Sequence, residues 1–241
     1  GLGGIQPSQS DYYQATKGGG HGDYHLIVLA PASAQEMYSL TIKGFELADA
    51  YRVPTMILTD GTIGQMMEPV SLDAVEVKQF DKPWAASGQR GRDHRNIINS
   101  LSLSPEELEQ WNIRRYERYE IIKEKEVMYE EFMMDDAEVC IVAFGIAARV
   151  CKNAIVEARK QGMKVGMIRP ITLWPFPEKA LKKAAEKCKA FISVELSMGQ
   201  MIDDVKLAIE CKRPVLLCNR TGGVIVSPDE VVAKIKEASK M

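Results

Sequence analysis

Hydrophobic and polar positions divide the chain into two regions of different texture, and the second is the easier to read. From Glu138 to Phe144 the sequence EVCIVAF is a short apolar run rich in β-branched residues, closed by Gly145. An unbroken run of this kind predicts a strand buried on both faces of a parallel sheet. Between Ala147 and Gln161 the positions Ala147, Val150, Cys151, Ala154, Ile155 and Ala158 return every three or four residues, and Gly162 stands where a helix C-cap belongs. That spacing predicts an amphipathic helix. Met163 to Ile168 is a second short strand, stopped by Pro170, and a helix between two such strands implies a right-handed crossover joining parallel neighbours. The alternation continues with a helix over Pro177–Lys187, a strand over Ala190–Glu195, a helix over Met198–Glu210 and a strand over Pro214–Cys218. Ser227-Pro228-Asp229-Glu230 is a proline-bearing capping box that starts a last helix. The second region is therefore expected to be α/β, with about four parallel strands and four helices.

The first region is less regular. Gly1 to Asp23 is polar and glycine-rich, with a short helix expected around Ser8 to Ala15. Tyr24–Ala30 and Val53–Thr59 read as strands, and Ser33 followed by Glu36 reads as a capping box opening the helix between them. Its face is traced by Met37, Leu40, Thr41, Phe45, Leu47, Ala48 and Tyr51. Asp60-Gly61 closes the second strand at what should be the carboxyl end of a parallel sheet, the edge that faces ligands in open α/β folds. Glu68 to Leu103 has weak periodicity and a basic cluster, Arg90, Arg92, His94 and Arg95, which reads as a connecting loop. Ser104-Pro105-Glu106-Glu107 then starts a highly charged helical tract running to Met134, expected to be an exposed bridge laced with charge pairs. Two strands and one helix before Glu68 are few for a stable domain, so further strands are expected ahead of Gly1 and the chain reads as part of a longer one. The expected division is 1–70, a connecting stretch 71–135, and a second domain 136–241.

Composition narrows the classes. At 241 residues, net charge -2 and a sequence pI near 6.0, no global field draws the protein to nucleic acid or to an anionic membrane. Five scattered cysteines (Cys140, Cys151, Cys188, Cys211, Cys218) match neither zinc nor iron-sulfur spacing, so no metal site is expected. With no signal peptide and no long apolar run, the reading is a soluble, cytoplasmic protein.

Two stretches resemble the alpha chain of the 2-oxoacid:ferredoxin oxidoreductases. GLGGIQPSQSDYYQATKGGGHGD and LTDGTIGQMMEPV (Leu58 to Val70) are similar to the late part of that family's thiamine-diphosphate pyrimidine-binding domain. VAFGIAARVCKNAIVEARKQGMKVGMIRPITLWPFP and FISVELSMGQM (Phe191 to Met201) are similar to the transketolase C-terminal type of domain that follows it. The first segment looks closest to the 2-oxoisovalerate and 2-oxoglutarate members. The resemblance implies a partial pyrimidine-binding domain followed by a three-layer α/β domain with a mainly parallel sheet. It also implies CoA-dependent oxidative decarboxylation of a 2-oxoacid to acyl-CoA, with electrons passed to ferredoxin. Thiamine diphosphate and Mg2+ would be shared with a beta subunit carrying the diphosphate-binding domain, and CoA would be the co-substrate. Iron-sulfur clusters would sit on ferredoxin-like and gamma subunits, none on this chain, within an oligomer. The family's catalytic glutamate and carboxylate-binding arginine lie upstream of the segment matching Gly1, so no catalytic residue is assigned, and neither Glu36 nor Glu68 is assigned the role. A transketolase or 2-oxoacid dehydrogenase beta chain, or a non-catalytic interface module, are the alternative readings.

Candidate site residues follow from position. Gln6, Ser8, Gln9 and Asp11 form a polar set able to face the thiamine site or a partner, or to cap a helix. His21, inside GGGHGD, is a proton donor or a structural donor holding its loop. Asp60 is a ligand-edge residue or a turn aspartate. Arg92 and Arg95 with Arg90 would steer CoA phosphates or lie in a solvated loop. Glu195, Gly199 and Gln200, where a strand ends and a helix opens, are expected at a subunit interface.

Overall fold

A computed structural model describes residues 5–72, 75–89 and 91–241. Gly1 to Gly4 and Arg90, all drawn on above, lie outside the described residues. The first elements in chain order are α1 (Tyr12–Lys17), β1 (Ile27–Leu29), α2 (Ala34–Tyr51), β2 (Thr55–Ile57), α3 (Gly61–Gln65) and α4 (Pro105–Lys125). There follow β3 (Tyr129–Phe132), β4 (Val139–Ala143), α5 (Gly145–Lys160), β5 (Val165–Pro170), β6 (Thr172–Trp174) and α6 (Glu178–Lys187). The last are β7 (Ala190–Glu195), α7 (Met201–Ala208), β8 (Val215–Asn219) and α8 (Pro228–Ala238). None of these helices is long and apolar enough to cross a membrane.

The second region builds a five-stranded sheet in the order β3-β5-β4-β7-β8. Its β4, β5, β7 and β8 are parallel, as the apolar runs predict, and β3 adds an antiparallel edge with Tyr129 opposite Pro170 and Phe132 opposite Met167. Strand alternation sends Cys140 and Val142 to the face covered by α6 and α7, where Leu181, Ala184, Met201 and Val205 are buried. Val139, Ile141 and Ala143 go to the other face, against Ala147, Cys151, Ile155 and Ala158 of α5 and Val231 and Ile235 of α8. Each large apolar side chain fully buried in this way contributes about 1.5–3 kcal/mol. The result is a three-layer unit.

The first region has a smaller sheet, β2-β1-β6. β1 runs parallel to β2, and β6, contributed by the second region, pairs antiparallel with β1 through Val28 opposite Trp174. Both β1 and β2 are three residues long, shorter than the apolar runs at Tyr24–Ala30 and Val53–Thr59 indicate. α2 begins at the expected cap, with Ser33 accepting from the Glu36 amide, and buries Leu40 and Leu47. Phe45, assigned above to its buried face, is 72% exposed.

Three further expectations are corrected. The charged tract does not stay helical to Met134: α4 ends at Lys125, and Tyr129–Phe132 becomes the edge strand β3. Glu130 and Glu131 look helical locally, yet the strand is fixed by Arg169 and Lys152, both bound to Glu130. Gly166 lets this chain approach β5, since a Cβ there would lie 2.4 Å from the Met133 carbonyl. Within α4 only Glu120–Lys123 forms an intrahelical ion pair among the described residues, so the helix is held by tertiary contacts at Tyr119 and Ile122 more than by charge pairs. The short N-terminal helix falls at Tyr12–Lys17 instead of Ser8 to Ala15.

Candidate functional site

The turns that leave the carboxyl ends of β1 and β2 meet the turn that leaves β4, and side chains cross between them. Asp60, 4% exposed, is the N-cap of α3, its Oδ1 accepting from the amides of Thr62 and Ile63 at 3.0 Å each. Its Oδ2 accepts from the Ile146 amide at 3.0 Å, so one carboxylate serves the positive ends of two helices. Gly145 makes this possible. It has φ 55°, and a Cβ there would sit 2.8 Å from Asp60 Oδ2 and 3.0 Å from Gln9 Nε2.

Gln9, 4% exposed, fills the gap between the ends of β4 and β7. Its Nε2 donates to the Phe144 carbonyl at 2.9 Å, its Oε1 accepts from the Leu196 amide at 3.0 Å, and its own amide donates to the Leu196 carbonyl at 2.9 Å. Gln6 packs beside it, its backbone against Gly61 and its side chain against Gly223. Of the site residues read from sequence, the structure therefore brings Gln6, Gln9 and Asp60 together. Ser8 and Asp11 are exposed nearby. Ser8 accepts from the Ser10 amide, and Asp11 stands at the N-cap of α1 without a side-chain cap bond. His21 is apart, exposed on the glycine loop with φ 53°.

The second residue set is also turned inward. Glu195, expected at a subunit interface, is 1% exposed. Its Oε1 accepts from Ser193 Oγ and the Ile202 amide, and its Oε2 from Ser197 Oγ and the Gln200 and Met201 amides. This carboxylate anchors the start of α7. Gln200 works within the chain as well, accepting from the Tyr13 amide and donating to the Ser10 carbonyl, both at 2.8 Å. Gly199, with φ 104°, packs on Leu217. Tyr12 Oη donates to Asp204 at 2.6 Å, and Tyr13 and Lys17 reach Asp203 and Asp204. Burial, then the Asp204 charge, pushes the Tyr12 phenol well above its ordinary range, so it stays a neutral donor. The segment from Gln6 to Lys17 is thus stitched to α7.

A cluster that the sequence reading did not single out completes the joint. Arg169 on β5 is 3% exposed, grips Glu36 of α2 with both guanidinium amines at 2.9 and 2.7 Å, and donates from Nε to Glu130 at 2.7 Å. Lys152 closes on Glu130 at 2.5 Å. Although burial pushes Glu130 up, Lys152 and Arg169 hold it below the ordinary carboxylate value. Arg149 donates to the Ala32 carbonyl at 3.0 Å and to Glu68 at 2.8 Å, while Glu36 and Glu68 accept from the amides of Ala32 and Ala34. The Ala32–Ala34 turn after β1 is thereby fixed by charge from both regions, along a cleft of about 500 Å³. The available signal was an arginine inside the buried run VGMIRP. Charges at such positions are retained only when paired.

Residues 3–131 match the family model described as pyruvate flavodoxin/ferredoxin oxidoreductase, thiamine diP-bdg, and residues 137–231 match pyruvate:ferredoxin oxidoreductase core domain II. The ketoisovalerate oxidoreductase subunit VorB of Methanothermobacter marburgensis is 49% identical over 239 residues, covering 98% of this chain and 67% of the relative. This chain belongs to the 2-oxoacid:ferredoxin oxidoreductase family, as an alpha-type subunit. The 2-oxoglutarate synthase subunit KorA of the same organism is 32% identical over 254 residues, covering 95% of this chain and 68% of the relative. In fold it matches a solved structure, the 2-oxoglutarate:ferredoxin oxidoreductase from Magnetococcus marinus with 2-oxoglutarate, coenzyme A and succinyl-CoA bound, at TM-score 0.76 and 22% identity. That match covers 98% of this chain and 46% of the other.

On this oxidoreductase subunit, Gln9 and Asp60 have their hydrogen bonds inside the chain, and their side chains fill the space beside Gly145. No cluster of three or more metal-ligating side chains occurs among the described residues. Burial pushes the Cys140 and Cys151 thiols well above their ordinary range, making them poor thiolate ligands.

Proposed function

We propose that this chain serves CoA-dependent oxidative decarboxylation of 2-oxoisovalerate to the branched acyl-CoA, with electrons passed to ferredoxin. The observation that carries the substrate choice is the 49% identity to a ketoisovalerate oxidoreductase subunit across nearly the whole chain, against 32% to a 2-oxoglutarate synthase subunit. In this reading the chain supplies a rigid part of the alpha subunit, and thiamine diphosphate with Mg2+ lies where it meets a beta subunit. The iron-sulfur clusters sit on ferredoxin-like and gamma subunits, and the assembly works in the cytoplasm. The thiamine family model over residues 3–131 and the internally bonded Gln9 and Asp60 support a site completed by other residues.

The test is viologen reduction by the assembly purified through this chain, with and without CoA, on 2-oxoisovalerate, 2-oxoglutarate and pyruvate. We expect CoA-dependent reduction, fastest by kcat/KM on 2-oxoisovalerate. Faster turnover of 2-oxoglutarate would overturn the substrate choice. No reduction from an assembly shown to hold thiamine diphosphate and intact clusters would overturn the activity.

A further inference from the structure

On the outer side of α4, a shallow hollow of about 480 Å³ is bounded by Asp23, Asn112, Ile113, Tyr116, Glu117 and Glu120. Its apolar centre is Ile113 and Tyr116, which are 46% and 40% exposed. The centre is rigid. The Tyr116 ring stands edge-on to Tyr119 at 5.5 Å, and Tyr119 in turn meets Trp174 and His25 at 5.3 Å each, with the His25 and Trp174 rings stacked at 4.7 Å. Asp23 is fixed as well, its carbonyl accepting from Arg115 Nη1 at 3.1 Å. A half-exposed tyrosine backed by a packed aromatic ladder loses little freedom when it is covered, which is the character of an interface anchor.

The rim gives the chemistry of what covers it. Three carboxylates and no cation line the hollow; Glu120 pairs with Lys123, while Asp23 and Glu117 have no ion pair among the described residues. A second copy docking here about a two-fold axis would set this acidic rim against itself. Leu108, one turn before Asn112 on α4, is 41% exposed on the same helix. We infer that this face of α4 is a docking surface for another subunit of the oxidoreductase assembly, one that inserts an apolar side chain flanked by lysine or arginine. The inference rests on the proposed function only in taking the chain to work within such an assembly.

The test uses the co-expressed assembly with the double variant Glu117→Lys/Glu120→Lys and, separately, Ile113→Asp. All three positions are exposed, so folding is checked by circular dichroism against the wild type. The dissociation constant of this chain from the remaining subunits is read at low and high salt. We expect the charge reversal to weaken association about tenfold at low salt, with the difference fading near ~0.5 M salt as rim charges are screened. Ile113→Asp should weaken it at both. Wild-type association by both variants overturns the inference, as does a change confined to self-association of this chain. An assembly inactive on every oxoacid yet sensitive to both variants would sink the proposed activity and leave the docking surface standing.

Discussion

β4, β5 and β7 are buried along their whole length, with helices on both faces, whereas β1 and β2 are three residues each and their sheet takes its third strand from the other region. The second region packs its sheet between its own helices, with Tyr12, Ala15 and the β1 side chains joining the cluster on its α6/α7 side. The first closes its core only with β6 and with side chains reaching across from β5, α5 and α7. What the difference teaches is where polar residues at strand ends go in such a chain. In the second region they cap its own helices, as Glu195 does for α7. In the first, Gln9 and Asp60 cap or bridge elements of the other region. At these strand ends the side chains join the two regions.

The comparison breaks most visibly if the chain is cut. Residues 127–241 alone should unfold cooperatively in urea, while residues 5–126 alone should lack a cooperative transition, because β1 loses β6 and Glu36 loses Arg169. A cooperative 5–126 fragment by circular dichroism would refute the asymmetry. Next in size, Arg169→Met should lower stability in chemical denaturation by on the order of 3–5 kcal/mol, since it leaves the carboxylates of Glu36 and Glu130 facing each other beside a buried strand. Gln9→Ala should cost less, about 1–3 kcal/mol, by leaving the Leu196 amide without its partner and the Phe144 carbonyl with the Ala148 amide alone. A loss under ~0.5 kcal/mol would mean water replaces the amide readily.

How much of this was legible follows from sequence distance. The strands of the second region could be read because burial on both faces writes a continuous apolar run. The helix starts at Ser33, Ser104 and Ser227 could be read because a cap is a local bond, and each of these serines accepts from the amide three residues on. Only Ser227 has the full reciprocal box with Glu230. The Glu36 carboxylate is drawn away by the Ala32 amide and by Arg169, and the arginine lies far outside any window around Ser33. β3 was hidden for the same reason, as its Glu130 is neutralised by Lys152 of α5 and Arg169 of β5. Gln9 and Asp60 were legible as important positions. Their partners lie beyond any local window, so their role as a joint was not.

The smallest expected effect concerns pH. Burial lowers the pKa of His25 from its ordinary 6.5, with the nearby Lys123 and Lys17 charges adding and the Thr16 backbone opposing, and its Nδ1 is buried without a hydrogen-bond partner. The unfolded chain therefore takes up the proton first. Stability should fall as pH drops through the ordinary histidine value and level off once the folded imidazole also protonates. His25→Gln should flatten that part of the stability-pH curve, whereas an unchanged slope would place the effect on other groups.

The most direct test of the joint is native-state hydrogen exchange at the amides of Leu196, Ile146 and Ala32, which donate to Gln9, Asp60 and Glu36. We expect all three to exchange only with global unfolding, at the rate of core amides in β4 and β7. Exchange of Leu196 and Ile146 through a separate, lower-energy opening, with the β4 core still protected, would show that the first region comes away independently and that these residues do not bind the two regions into one unit.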